Sequence, residues 1–68
     1  MKGLHMASST FRLVNRRTQM ITISIRKDSA VAEVKLGANA TSAVYSASDL
    51  TEYTETLIAR GHLTKIPA

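Results

Sequence analysis

The stretch Met20-Ile21-Thr22-Ile23-Ser24-Ile25-Arg26 decides the fold class. Its three isoleucines alternate with polar residues, so an extended chain places all three on one face. Because β-branched side chains suit a pleated surface, the pattern predicts a half-buried β-strand. A single strand with one apolar face is not stable by itself. The rest of the chain must therefore supply neighbouring strands and a cover for that face.

Other alternating segments supply candidate neighbours for this strand. We expect strands over residues 11–15, 31–36 and, with a weaker pattern, 41–46. In the first of these, Phe11 and Leu13 would face the core. A closing strand over residues 63–66 ends at a proline, which suits an edge strand. The first and last strands are the predicted edges, where a partner's strand could add to the sheet.

The connections between these segments predict their pairing. A plain hairpin would connect the first strand to the central one, with its turn formed by Arg16, Arg17, Thr18 and Gln19. The other predicted turns cover residues 27–29, through local hydrogen bonds of Asp and Ser, and residues 37–39, where Gly and Asn tolerate a left-handed backbone.

After residue 46 the spacing of apolar residues changes from alternation to a helical repeat. This spacing predicts a helix of about three turns. Residues 46–49 offer N-cap side chains, and Gly61 is placed as the left-handed residue that ends a helix, with Leu63 folding back on it. The acidic residues of the first turns suit the helix dipole. The apolar stripe expected to face the core consists of Leu50, Tyr53, Leu57 and Ile58.

These elements predict a mainly β fold, a small antiparallel sandwich or partly open barrel of four or five strands, with one short C-terminal α-helix. It would form a single small β-rich domain over residues 10–68. Residues 1–9 lack periodicity and are interpreted as a flexible N-terminal arm or an expression-tag remnant, since residues 5–8 look like a cloning scar.

The composition limits how the domain can be stabilised. A chain of 68 residues without cysteine has neither disulfides nor a cysteine-based zinc site. Domains of this size retain about 3–5 kcal/mol from their core. We therefore expect the protein to associate with itself or with a larger protein assembly. No apolar run is long enough to span a bilayer, and no secretory signal is recognisable, so no membrane partner and no secretion are expected.

Charge is distributed unevenly along the chain. Residues 1–27 contain six basic and no acidic residues, whereas residues 28–68 contain three basic and five acidic ones. Such asymmetry suggests an acidic protein partner, nucleic acid or head-to-tail self-association. The cations proposed to bind a partner are Arg12, Arg16, Arg17, Arg26 and Lys27.

No motif in the sequence indicates a chemistry. The serines and threonines alternate along strands or stand at caps, the glycines are isolated, and the two histidines have no ligand-like spacing. We therefore predict no enzyme activity, no cofactor, no metal and no small-molecule substrate. Nucleic-acid binding by the basic hairpin stays an alternative, although the basic half has only Phe11 for stacking and the helix is acidic.

The order of these elements resembles a known group of proteins. Three segments carry the resemblance. They are an opening Phe11-Arg12-Leu13-Val14-Asn15, then Val34-Lys35-Leu36-Gly37, and a closing Leu57-Ile58-Ala59-Arg60-Gly61-His62-Leu63. They are similar to small structural proteins, associated with heads and tails, of tailed bacteriophages and prophages. In that group a Pro-Gly turn is usual where this chain has Gly37-Ala38-Asn39-Ala40.

The resemblance implies a non-catalytic virion component of the capsid decoration or head-completion type. Such a protein would be found in the virion, and in the host cytoplasm during assembly. The resemblance carries over no functional residues. The alternatives are a small nucleic-acid-binding accessory protein and a small protein-interaction or inhibitor module.

Overall fold

The computed structural model describes residues 10–68, so the predicted arm over residues 1–9 lies outside the described part. Five strands, one 3₁₀ turn and one α-helix follow in the order β1 Phe11–Asn15, β2 Ile21–Lys27, β3 Ala30–Leu36, β4 Thr41–Tyr45, 3₁₀ turn Ala47–Asp49, α1 Glu52–Ala59 and β5 Leu63–Pro67. The mainly β fold class with one short helix near the C-terminus is confirmed.

The strands form two antiparallel sheets rather than one continuous meander. The first sheet has the order β4-β1-β5, and the second consists of β2 and β3. The predicted hairpin between β1 and β2 is therefore wrong, because the chain crosses from one sheet to the other at residues 16–20. The prediction that β1 is an edge strand is also wrong, since β1 lies between β4 and β5.

The core lies between the two sheets and uses the predicted faces. Ile23 and Leu13 are fully buried, and the odd-numbered residues of β1 and those of β2 up to Ile25 are buried between exposed or half-buried neighbours. The buried apolar residues form one cluster. Its members are Phe11, Leu13, Ile21, Ile23, Ile25, Leu36, Leu50 and Leu63.

A two-residue turn joins β2 to β3. Lys27 pairs with Ala30, and Asp28 and Ser29 between them have φ angles of 47° and 71°. Two successive left-handed residues are typical of the type I′ turn, whose twist matches that of the strands. The predicted turn is confirmed in position, and its backbone conformation is what closes the hairpin.

The helix begins later than predicted. Ser46 and Asp49 bond reciprocally but start only the 3₁₀ turn, and the α-helix follows a second cap at Thr51. Tyr53 is therefore 57% exposed, so its predicted place in the apolar stripe is wrong. Leu50 is buried, but it forms a β-bridge with Ile25 rather than a helical turn.

The helix ends as predicted. Gly61 has a φ of 83°, and its N–H donates to the Ile58 carbonyl at 3.0 Å. The His62 N–H donates to the Leu57 carbonyl at 3.0 Å, which completes a Schellman motif. Leu63 follows and is 2% exposed, so the chain folds back onto the core at that point. The eight-residue helix contacts both β2 and β5 and bridges the two sheets on one side.

Candidate functional site

The structure separates the predicted partner-binding cations into different parts of the molecule. Arg12 and Arg16 lie on and just after β1, whereas Arg26 and Lys27 end β2 beside its turn. The two sheets share one core, and Arg12 and Arg26 point away from it, so they face opposite directions. Arg17 is exposed in the crossing between the sheets. The basic hairpin expected from the sequence is therefore not formed.

Arg12 and Arg16 belong to the side of the three-stranded sheet that points away from the core, which we call the outer face. In its first row Arg12 pairs with Val44 of β4 and Ile66 of β5, and in the second Val14 pairs with Thr64. The exposed fraction of Val44 is 43%, and Val14, Thr64 and Ile66 are half-buried. The outer face consists of Arg12, Val14, Arg16, Val44, Thr64 and Ile66.

Hydrogen bonds hold both arginines against the outer face. A guanidinium nitrogen of Arg12 donates to the Ser42 carbonyl at 3.3 Å, and Nε of Arg16 donates to Oγ1 of Thr64 at 3.1 Å. Each guanidinium has five N–H donors, so most remain available to a partner. Arginine beside exposed apolar residues is the composition that protein interfaces favour.

A bulge in β4 places the Ser42 carbonyl where Arg12 reaches it. The β1–β4 register shifts between Arg12 and Val14, and the buried Ser42 lies in the extra segment. Its hydroxyl accepts from the Leu13 N–H at 2.9 Å and donates to the Ala43 carbonyl at 2.7 Å. The side chain thus replaces the ladder bond that the bulge removes.

The electrostatic character of the three-stranded sheet is basic. None of the residues in β1, β4 or β5 is acidic. Lys65 lies on the core side of β5, where its ammonium group stands 4.7 Å from the ring centre of Phe11. The exposed carboxylates of Glu52 and Glu55 lie instead in the first turn of α1. The three-stranded sheet is therefore basic, whereas the start of α1 is acidic.

Asn15 organises the crossing between the sheets, a role that sequence reasoning missed. It is fully buried, and the carbonyl oxygens of Gln19, Leu36 and Gly37 share the two hydrogens of its Nδ2 at 2.8, 2.9 and 2.9 Å. Its Oδ1 accepts from the Arg17 N–H at 2.8 Å. An asparagine that ends a strand was the available signal, because asparagine is depleted in strands and bonds its own following backbone.

A second missed feature is a group of hydroxyls where α1 meets β2. Oγ1 of Thr54 accepts from the Ser24 N–H at 3.0 Å and donates to the Ser24 carbonyl at 2.7 Å. Thr51 caps the helix and also bonds to the Ser24 carbonyl, at 3.2 Å. Thr51 directly before the acidic Glu52 was the signal in the sequence, since threonine is a favoured N-cap residue. These hydroxyls bond to the main chain, which is a structural role.

A shallow open pocket of about 480 Å³ lies beside these hydroxyls. It is lined by Thr22, Ile23, Ser24, Glu33 and Tyr53. Among residues 10–68, no group of three or more His, Cys, Asp or Glu side chains is close enough to hold a metal ion. Within the same residues no helix is long and apolar enough to cross a membrane. The outer face is therefore the best-defined candidate site in the described part.

Comparisons of the chain with protein-family models, with curated proteins and with solved structures gave no match.

Proposed function

We propose that this protein is a non-catalytic binding protein that docks on a larger, acidic protein assembly through the outer face. The observation that carries the proposal is the row Val44–Arg12–Ile66, in which an arginine fixed by a hydrogen bond lies between two apolar side chains. Buried arginines and apolar anchors supply most of the binding energy of protein interfaces. The resemblance to head and tail proteins of tailed bacteriophages makes a virion the assembly that we propose.

Two observations favour a protein partner over nucleic acid. The basic side chains lie on opposite faces of the sandwich, so they offer no single stripe that could follow a phosphate backbone. Phe11, the aromatic side chain of the basic half, is 8% exposed and packs in the core, so it is not free to stack on a base. Binding to an acidic protein surface requires neither a continuous basic stripe nor an exposed aromatic side chain.

The experiment is cosedimentation with particles. Virions or phage-like particles from the organism that encodes the chain are purified on a density gradient, and the protein is quantified in each fraction. We expect the wild-type protein to sediment with the particles. Arg12→Glu should reduce the particle-bound fraction at least about tenfold, since truncating an interface arginine alone can cost about 2 kcal/mol.

The matched control is the double variant Arg26→Glu with Lys27→Glu, which changes more charge but on the other sheet. It should sediment with the particles like the wild type. Wild-type protein that stays at the top of the gradient contradicts the virion proposal. Equal loss in both variants contradicts the assignment to the outer face.

Gel filtration with light scattering, with and without duplex DNA, tests the nucleic-acid alternative. We expect the elution of the protein to be unchanged by DNA at low and high salt. A complex with DNA that dissociates steeply as salt rises would replace the proposal with nucleic-acid binding, because counterion release makes such complexes salt-dependent.

A further inference from the structure

The outer edge of β3 differs from every other strand edge in the described part of the chain. Within residues 10–68, β3 pairs with β2 on one side and with no strand on the other. The outer strands of the first sheet carry features that hinder pairing, a bulge in β4 and Pro67 in β5. β3 has seven residues in unbroken register and contains no proline.

Hydrogen bonds of β2 show which groups of β3 point outward. Thr54 bonds to both the N–H and the carbonyl of Ser24, so these groups point away from β3. Ser24 pairs with Glu33, and in an antiparallel ladder both members of such a pair point their main-chain groups away from each other. The N–H and carbonyl of Glu33 therefore face outward, as do those of Val31 and Lys35, two residues away on either side.

These outward-facing N–H and carbonyl groups can bond to another strand, and we propose that this strand is β3 of a second copy of this chain. The two β3 strands would run antiparallel about a twofold axis at Val34. Glu33 of one copy would then face Lys35 of the other, twice by symmetry. In this register each Glu33–Lys35 pair exchanges two backbone hydrogen bonds, using the groups that point outward. The two hairpins would join into one four-stranded sheet.

Charge selects this register among those that the outward groups allow. A shift that places Glu33 opposite Glu33, or Lys35 opposite Lys35, puts like charges on the axis, which is destabilising. The register centred on Val34 instead pairs each carboxylate with an ammonium group. It also places two valines side by side and Ala32 opposite Leu36, so the half-buried Val34 becomes covered. One segment thus supplies complementary charge, apolar contact and free main-chain groups.

This inference goes beyond the docking function proposed above and does not rest on it. It concerns the second sheet, whereas the proposed docking surface is on the first. Association of the purified protein with itself is enough to test it, and the particle experiment has no influence on the result.

A charge-swap series tests the register with the full chain. Sedimentation velocity over a range of protein concentrations should show a monomer–dimer equilibrium for the wild type. Lys35→Glu and Glu33→Lys should each weaken the dimer at least about tenfold, because each creates two like-charge pairs. The double variant Glu33→Lys with Lys35→Glu should restore it, and so should an equimolar mixture of the two single variants. Circular dichroism checks that all of these variants are folded.

Cysteine substitution provides a second test, since the chain contains no cysteine. Side-by-side residues of a pair without mutual backbone bonds have Cα atoms about 4.5 Å apart, within the range that a disulfide accepts. Val34→Cys should therefore form a covalent dimer under mild oxidation, faster than Val31→Cys by about tenfold or more, although Val31 is 60% exposed. If exposure alone decided the rate, the more exposed Val31→Cys would crosslink faster, so it is a strict control.

Several results would overturn the proposal. A wild-type monomer at all concentrations excludes it, and so does a dimer that withstands both single charge reversals. Faster crosslinking at residue 31 than at residue 34 excludes the register. A monomer that dimerises only after deletion of residues 1–9 would show that the chain's own N-terminal segment covers the edge.

Discussion

β2 and β3 pair with each other at seven successive positions, yet their surroundings differ. In β2 the side chains of Ile21, Ile23 and Ile25 are buried, and the main-chain groups of Ser24 on its outer edge bond to Thr54. In β3 only Leu36 is buried, and within residues 10–68 no strand covers its outer edge. Two strands of one hairpin can therefore have different roles, one as the centre of the core and the other as an exposed edge.

The largest expected difference between the two strands is in side-chain burial. Ile23→Ala in β2 should lower the free energy of unfolding by about 4 kcal/mol, since it removes buried methylene groups and leaves a cavity. Val31→Ala in β3 should change it by less than about 0.5 kcal/mol, because that side chain is mostly exposed. Urea denaturation followed by circular dichroism measures both.

For a domain of this size, Ile23→Ala can abolish the cooperative transition altogether. Ile23→Val, with an expected loss of about 1 kcal/mol, keeps the comparison measurable. Equal effects of the substitutions in β2 and β3 would mean that the two strands are not buried as described.

Asn15 should have the next largest effect, because its amide connects the start of β2 and the end of β3 to the other sheet. Asn15→Ala should cost about 3 kcal/mol, since it leaves carbonyl groups without their donor. Asn15→Asp keeps the size and the acceptor for the Arg17 N–H but sets a carboxylate oxygen against the same carbonyls. It should destabilise the protein at least as much. A neutral Asn15→Asp would show that the amide donors are not needed.

The covered edge of β2 is tested by Thr54→Val, which keeps the shape of the side chain and removes its hydroxyl. We expect a loss of about 2 kcal/mol, because the Ser24 N–H loses its partner, the hydroxyl of the fully buried Thr54, whereas the Ser24 carbonyl keeps its bond from Thr51. Amide hydrogen exchange at Ser24 should accelerate in the same variant. Thr56→Val is the control, since the exposed Thr56 hydroxyl bonds only to its own helix, and it should stay within about 0.5 kcal/mol.

The smallest effect concerns the turn that joins the two strands. Ser29→Gly should stabilise the protein by about 0.5–1 kcal/mol, because glycine adopts the left-handed conformation of the second turn residue without strain. Ala30→Gly, one residue further and inside β3, should instead destabilise it by a similar amount, about 0.5–1 kcal/mol. Thermal unfolding separates the two signs, and destabilisation by Ser29→Gly would contradict the assigned turn.

Local patterns predicted much of the fold correctly. Alternation of apolar residues identified the buried faces of β1 and β2, and the Gly61 signal identified the helix end. The placement of β1 and β2 in different sheets was not predictable in the same way, since it depends on bonds such as that between Asn15 and Leu36, which are distant in sequence. The helix start was misplaced because two capping signals follow one another and only tertiary contacts select the second.

In the candidate site, too, local patterns predicted some features and tertiary contacts decided the others. The exposure of the arginines followed from their charge and their strand positions, and this was predictable. The crossing between sheets, fixed by the buried Asn15, then placed Arg12 and Arg26 on opposite faces. Sequence reasoning joined them on one hairpin because four residues between two patterned segments are compatible with either connection.

By itself, the sequence determined the fold class, the core faces of the first two strands and the exposure of the charged side chains. These follow from side-chain chemistry and the repeat of the backbone, which act within a few residues. Only the tertiary structure decided which strands pair, which edge the helix covers and which stays open. Those choices depend on hydrogen bonds such as Thr54 with Ser24, made between groups thirty residues apart, and no local pattern encodes them.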